Sequence, residues 1–156
     1  MIQCTFGKGA TAFLRHAVVD TIVTRGDEIL LVKRAERLIE GGKWALVGGY
    51  VNRDEVIREA VAREVMEETG YGVEGVTLLK IRDNPDRPNE DNQNIAFVHF
   101  CVVGEKTGSP DNESTEQRWF PLSEIPPRDE IAFEHFENIE LYREYLKNPF
   151  PLPRVG

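Results

Sequence analysis

Glu64 and Glu68 stand four residues apart with Glu67 beside them, a spacing that brings several carboxylates to one end of a helix. Oxygen-only donors grouped in this way suit a hard divalent cation. A helix advances about 100° per residue, so Ile57, Val61, Glu64 and Glu68 share one stripe, flanked by Ala60 and Val65. The apolar members mark that stripe as the face turned toward the protein, which makes its second half acidic and inward-facing. Without a cation, like charges at these spacings repel by roughly 0.2 to 0.5 kcal/mol per pair. Glu67 and Glu68 also precede the expected C-cap Gly70, where the helix dipole disfavours anions by roughly 0.3 to 1 kcal/mol. Burial adds a desolvation cost. One divalent cation would offset all three. A solvated acidic face, with Arg58 and Arg63 paired to nearby glutamates, is the plainer reading of a charge run. It fails on phase, because such a face should lie opposite Ile57 and Val61.

The surrounding pattern supplies elements to hold this helix. Asn52 and Glu55 fit a capping box at its start, and Gly70 ends it. Ala17 to Thr24 and Glu28 to Arg34 read as strands joined by the turn Arg25-Gly26-Asp27. Trp44 to Val47 reads as a short strand handing over to Gly48 and Gly49, where turn geometry and close approach to phosphate oxygens both suit glycine. Val73 to Ile81 and Ile95 to Val103 follow as strands, the second apolar on both faces and therefore central. Gln117 to Phe120 is a further short strand, and Ala132, Phe136, Ile139 and Leu146 form the stripe of a last helix. The class is mixed α/β, with helices on a sheet.

The run Gly49, Glu55, Arg63-Glu64-Val65-Met66-Glu67-Glu68-Thr69-Gly70-Tyr71 resembles the Nudix box, spanning residues 49–71 with every fixed position present. Tyr71 stands where the family usually has an aliphatic residue, and Val47 replaces a proline often found before the paired glycines. The resemblance implies a Nudix-type α/β/α sandwich with a mixed β-sheet and an Mg2+ or Mn2+ site on Glu64, Glu67 and Glu68. It implies that Arg63 holds these glutamates in register, and it places Glu55 beside the cluster, in competition with its capping role. Many members recruit a further glutamate from a loop before an aromatic-proline stretch. Here Glu113 and Glu116 precede Trp119-Phe120-Pro121, so the general base is open among Glu64, Glu113 and Glu116.

Other residues carry weaker signals. Arg34 and Lys43 are candidate phosphate contacts. Trp44, Phe97 and Trp119 can stack on a base but suit core packing better, and His99 on an apolar strand reads as a hydrogen-bonded core residue.

The activity implied is hydrolysis of a diphosphate bridge in a nucleoside diphosphate derivative. Pro85, in Asp83-Asn84-Pro85-Asp86-Arg87-Pro88, lies where the ADP-ribose pyrophosphatase subgroup has a proline, which favours ADP-ribose or an ADP-sugar cleaved to AMP and a sugar phosphate. Nucleoside triphosphates and dinucleoside polyphosphates stand behind it. A non-catalytic nucleotide sensor is the alternative of another class, disfavoured because every acidic box position is retained and the residues after the box are expected to complete the fold.

At 156 residues the chain reads as one domain, 1–156, with residues 1–14 an N-terminal extension. A net charge of −8 argues against nucleic-acid and anionic-membrane partners. Cys4 and Cys101 are isolated and Met1 to His16 lacks a long apolar stretch, so a cytoplasmic protein is expected. ADP-ribose-cleaving members are often homodimers, although a long N-terminal extension for strand exchange is lacking.

Overall fold

Alternating Val, Ile and Leu over Ala17–Arg25 and Glu28–Arg34 produce the antiparallel pair β3 and β4, as expected from the intervening Gly26 at φ 62°. A computed structural model describes residues 2–86 and 93–156. Ahead of this pair, β1 (Ile2–Thr5) and β2 (Thr11–Leu14) form a two-stranded sheet of their own, an element absent from the sequence reading. No described helix is long and apolar enough to cross a membrane.

The main sheet is mixed. β7 (Tyr71–Arg82) pairs antiparallel with β8 (Ile95–Lys106), and β8 pairs parallel with β3, so β8 is flanked on both sides as its apolar character predicts. β9 (Ser114–Pro121), longer than expected, adds antiparallel to β4, and β10 (Arg154–Val155) adds parallel to β7. Of the loop between β7 and β8 that carries Pro85, Arg87 and Pro88 lie outside the described residues.

Strand alternation separates two layers. Val19, Val23, Phe97 and Cys101 face α1 (Ile57–Thr69), whereas Ile22, Val98 and Phe100 face α2 (His135–Lys147). Successive strand side chains point to opposite faces, so the helices cover opposite sides of the sheet and the sandwich implied by the resemblance is present. Ile139 and Tyr142 anchor α2 on Ile22, Leu79 and Val98.

Four expectations are corrected. The stretch Trp44 to Val47 is two strands, β5 (Trp44–Ala45) against β4 and β6 (Val47–Tyr50) against β3. The chain changes partner at Leu46, whose N–H is taken by His135 instead of a strand. Gly48 and Gly49 therefore lie inside β6, at negative φ; close approach, not turn geometry, demands glycine. A Cβ on Gly48 would sit 1.9 Å from the Val19 carbonyl oxygen. Next, α1 begins at Ile57 with Val56 as N-cap, because Glu55 is drawn away by Arg63 and Glu59 takes the Val56 N–H at 3.1 Å. Finally, Ala132 precedes α2 and donates its N–H to Trp44 O, and Leu146 is exposed in the last turn; Ile139 and Tyr142 carry the buried stripe.

Candidate active site

The inward stripe of α1 places Val61 and Val65 in the core and, continuing along the same face, buries Glu68 at 7% exposure. Glu68 Oε1 accepts the Gly48 N–H at 2.8 Å. That contact joins the helix to β6 and commits the Gly48 amide to a protein carboxylate. Burial pushes the Glu68 carboxyl up to about 8, with the charges of Glu64, Asp111 and Glu113 adding and the Gly48 amide opposing. Glu64 is partly buried and is also raised, first by desolvation and against the pull of Arg63. Glu67 is exposed at the rim.

Arg63 organises the cluster. Its guanidinium meets Glu55 at 2.6 and 3.0 Å, Glu64 at 2.7 Å, Glu67 at 3.0 Å and the Tyr50 carbonyl at 2.9 Å. The Glu55 hydrogen bonds dominate, raising Arg63 and lowering Glu55 from their usual values. Glu55 also accepts the Asn52 N–H at 2.6 Å, so its cap-like contact and its place beside the cluster coexist, one turn ahead of the helix. Gly49 makes room for Glu64, since a Cβ there would fall 2.4 Å from Glu64 Oε1.

A cleft of about 530 Å³ opens over this cluster. Gly48, Gly49, Arg63, Glu64 and Glu67 line it, together with Arg34. Arg34 is held by Nε donating to Ile39 O at 2.8 Å and lies 4.9 Å over the Phe133 ring; burial lowers its pKa, against the nearby charges of Glu68 and Glu113.

The C-terminal end of α1 brings in further acids. Gly70, at φ 78°, closes the helix and leaves no space for a Cβ, which would lie 2.3 Å from Gly108 O. Gly70 O accepts the N–H groups of Thr107 and Gly108, and Glu67 O accepts that of Asp111. The loop after β8 is thereby fastened to the helix, delivering Asp111 and Glu113 to the cleft. Glu116 is not among the lining residues; it lies on β9, hydrogen-bonded to Arg118. Lys43 pairs with Glu40 away from the cleft. Trp44 packs edge-on to Phe120, Trp119 edge-on to Tyr71, and Phe97 against the α1 layer, in keeping with their core reading. His99 is buried with Nδ1 2.8 Å from Phe97 O.

Part of the cleft lining went unseen in the sequence. Val18 and Asp20 of β3, Asn94, and the Phe133-Glu134-His135 turn meet there. Phe133 takes φ 52°, a costly left-handed conformation for a bulky residue. The phase of Asp20 on an apolar strand was the available signal.

Among the described residues, no three acidic, histidine or cysteine groups converge on one point at metal-ligand spacing. Arg63 instead spans Glu64 and Glu67. The donor set still has the chemistry of a hard-cation site: two desolvated carboxylates whose charges oppose each other, with two more acids adjacent.

Comparison with known proteins agrees with this architecture. The family model described as NUDIX domain matches residues 14–142. An ADP-ribose pyrophosphatase of Methanocaldococcus jannaschii is 35% identical over 135 residues, covering 85% of this chain and 76% of the relative. The human 8-oxo-dGDP phosphatase NUDT18 is 28% identical over 148 residues, and the match spans 89% of this chain but 43% of that protein. Among solved structures, an ADP-ribose pyrophosphatase from Streptococcus suis has a TM-score of 0.73 at 23% identity, covering 92% of this chain and all of the other. The NUDIX domain of Shewanella oneidensis NrtR, complexed with ADP ribose, has a TM-score of 0.69 at 21% identity, covering 86% and 90% of the two chains. With the box intact on α1 and the family model spanning most of its length, this chain belongs to the Nudix family and is a pyrophosphohydrolase of that family.

Proposed function

We propose that the protein hydrolyses the diphosphate linkage of a nucleoside diphosphate derivative, ADP-ribose or an ADP-sugar, releasing AMP and a sugar phosphate with Mg2+ or Mn2+ as cofactor. The observation that carries this reading is the pair of acids on the inward face of α1: Glu64 lines the cleft, and Glu68 is buried next to it against the Gly48 amide, beside a backbone without side chains at Gly48 and Gly49. An unpaired charge is costly at such a position unless a cation joins it. Glu64, Glu67 and Glu68 would hold the metal; when bound, it neutralises phosphate oxygens and polarises the phosphorus under attack.

The remaining work falls to the chain itself. Arg63 holds Glu64 and Glu67 in register through its own anchorage on Glu55. Arg34 lines the same cleft and offers a guanidinium to the diphosphate. The attacking water gives its proton to a carboxylate as its oxygen bonds to one phosphorus and the bridging P–O bond breaks. Glu64 and Glu113 both line the cleft and are the two candidates for that base, whose assistance is typically worth about 10² to 10⁴ in rate. Glu116, turned to Arg118, has no part in this scheme.

The choice of an adenosine diphosphate derivative is supported by the 35% identity to the archaeal ADP-ribose pyrophosphatase. Ranking kcat/KM for ADP-ribose, ADP-glucose, NADH, diadenosine polyphosphates and nucleoside triphosphates tests it. ADP-ribose or ADP-glucose should rank first with AMP released, and preference for a triphosphate or a dinucleoside polyphosphate overturns it.

A further inference from the structure

Phe133 lines the cleft in a backbone conformation that its side chain makes costly. Its φ of 52° lies in the left-handed region, open to glycine and expensive for a bulky residue. Such strain persists only where the surroundings over-determine it. Both flanks of Phe133 are tied to the strands that frame the site. Ile131 bridges to Trp44, the Ala132 N–H donates to Trp44 O at 2.8 Å, and His135 Nδ1 accepts the Leu46 N–H at 2.9 Å. The residue between these anchors is thereby held in the cleft lining. Its ring is only partly buried at the margin of the core, and it meets a cation: the Arg34 guanidinium carbon stands 4.9 Å over the ring centroid.

The placement of Arg34 is equally constrained. It ends β4 where the pairing with β9 shifts register between Lys33 and Arg34, an irregularity of the kind that re-aims a side chain. Its backbone N–H donates to Lys43 O, its carbonyl accepts the Gly42 N–H, and its Nε donates to Ile39 O at 2.8 Å. Glu68, Glu113, Glu40 and Asp20 all attract this cation. A carboxylate that captured it would take the N–H fork that grips phosphate. An aromatic face attracts the charge without consuming N–H donors.

We propose that Phe133 is a positioning residue for the substrate's diphosphate: its ring holds the Arg34 guanidinium in the cleft, poised to donate to phosphate oxygens. The proposal rests on the reading of Arg34 as a diphosphate contact. It gives the strained turn ahead of α2 a role in binding, because an arginine already held in place loses less rotamer freedom on gripping a ligand than a free one. Phe133 acts through Arg34 and touches no reacting atom in this scheme.

The test is equilibrium binding of α,β-methylene-ADP, whose carbon bridge resists hydrolysis, to the full chain in magnesium, read beside the kinetics of ADP-ribose cleavage. Phe133→Leu keeps apolar bulk and removes the ring. It should weaken binding of the probe about three- to tenfold and raise KM for ADP-ribose by a similar factor, with kcat changed by less than about twofold. Phe133→Tyr, which keeps an aromatic face, should restore both to within about twofold of wild type. In an Arg34→Ala background, which itself binds the probe more weakly, Phe133→Leu should add no further loss. Thermal melts report folding of every variant. Wild-type binding in Phe133→Leu, or the same loss with and without Arg34, overturns the proposal. AMP release from ADP-ribose with no effect of Phe133→Leu sinks this inference alone. Probe binding coupled through Arg34 and Phe133, without turnover of ADP-ribose, sinks the hydrolytic reading alone.

Discussion

The two helices are of equal length and lie on opposite faces of one sheet, yet their buried faces do opposite things. α2 turns Ile139 and Tyr142 into the core, where they meet Ile22, Leu79 and Val98. α1 begins in the same way with Ala60, Val61 and Val65, then turns Glu68 and part of Glu64 toward the protein. Burial of α2 stabilises the fold, whereas burial of the acidic half of α1 opposes it. A buried face that works against stability while occupying the wall of a cleft is a place where folding has been subordinated to chemistry.

The largest expected effect separates the helices by function. Glu64→Gln and Glu68→Gln should each lower kcat in saturating magnesium at least about a hundredfold while circular dichroism shows the fold retained. Near-normal turnover in both would break the contrast. Ile139→Ala should instead cost about 2 to 5 kcal/mol of stability, measured by urea unfolding, with activity per folded molecule preserved.

A pH series sharpens the same contrast. The Glu68 carboxyl lies above its unfolded value, at about 8 against 4.5. Between those values the folded state holds a proton that the unfolded state has released. Metal-free protein should therefore lose stability as pH rises from about 4.5 to about 8, at up to about 1.4 kcal/mol per pH unit from this group, and level off above. Glu68→Gln, which keeps an oxygen for the Gly48 amide, should flatten that slope and melt higher than wild type near pH 8. An unchanged slope in the variant would mean that burial of α1 carries no such cost. The smallest effect is expected outside the cleft: Glu116→Gln should change kcat/KM by less than about threefold, and Glu113→Gln by about tenfold or more. The reverse order would place the loop acid on β9 instead.

Legibility followed sequence distance. Glu64, Glu67, Glu68 and Arg63 sit within two turns of one helix, so their spacing was enough to bring them together. The box resemblance put Glu55 beside the cluster, but its pairing with Arg63, across the helix start, came only from the structure. The helix boundary was misplaced because Asn52 and Glu55 make the expected local contact without beginning a helix. The single strand expected over Trp44 to Val47 broke because a histidine 89 positions away claimed one amide. Glu113 and Glu116 were equivalent as letters, and only the attachment of the loop to Gly70 and Glu67 turned one toward the cleft.

Helical periodicity determined the acidic face of α1, apolar residues on both faces determined the central place of β8, and the fixed positions of the box carried the resemblance to a family of pyrophosphohydrolases, because each depends on residues within a few turns or one strand. The tertiary structure alone decided that Gly48 meets Glu68, that Asp111 joins the cluster, and that Asp20 and His135 meet in the cleft lining. Those contacts need β3, β6 and α2 in register across the whole chain, and register is set by packing, which no local spacing encodes.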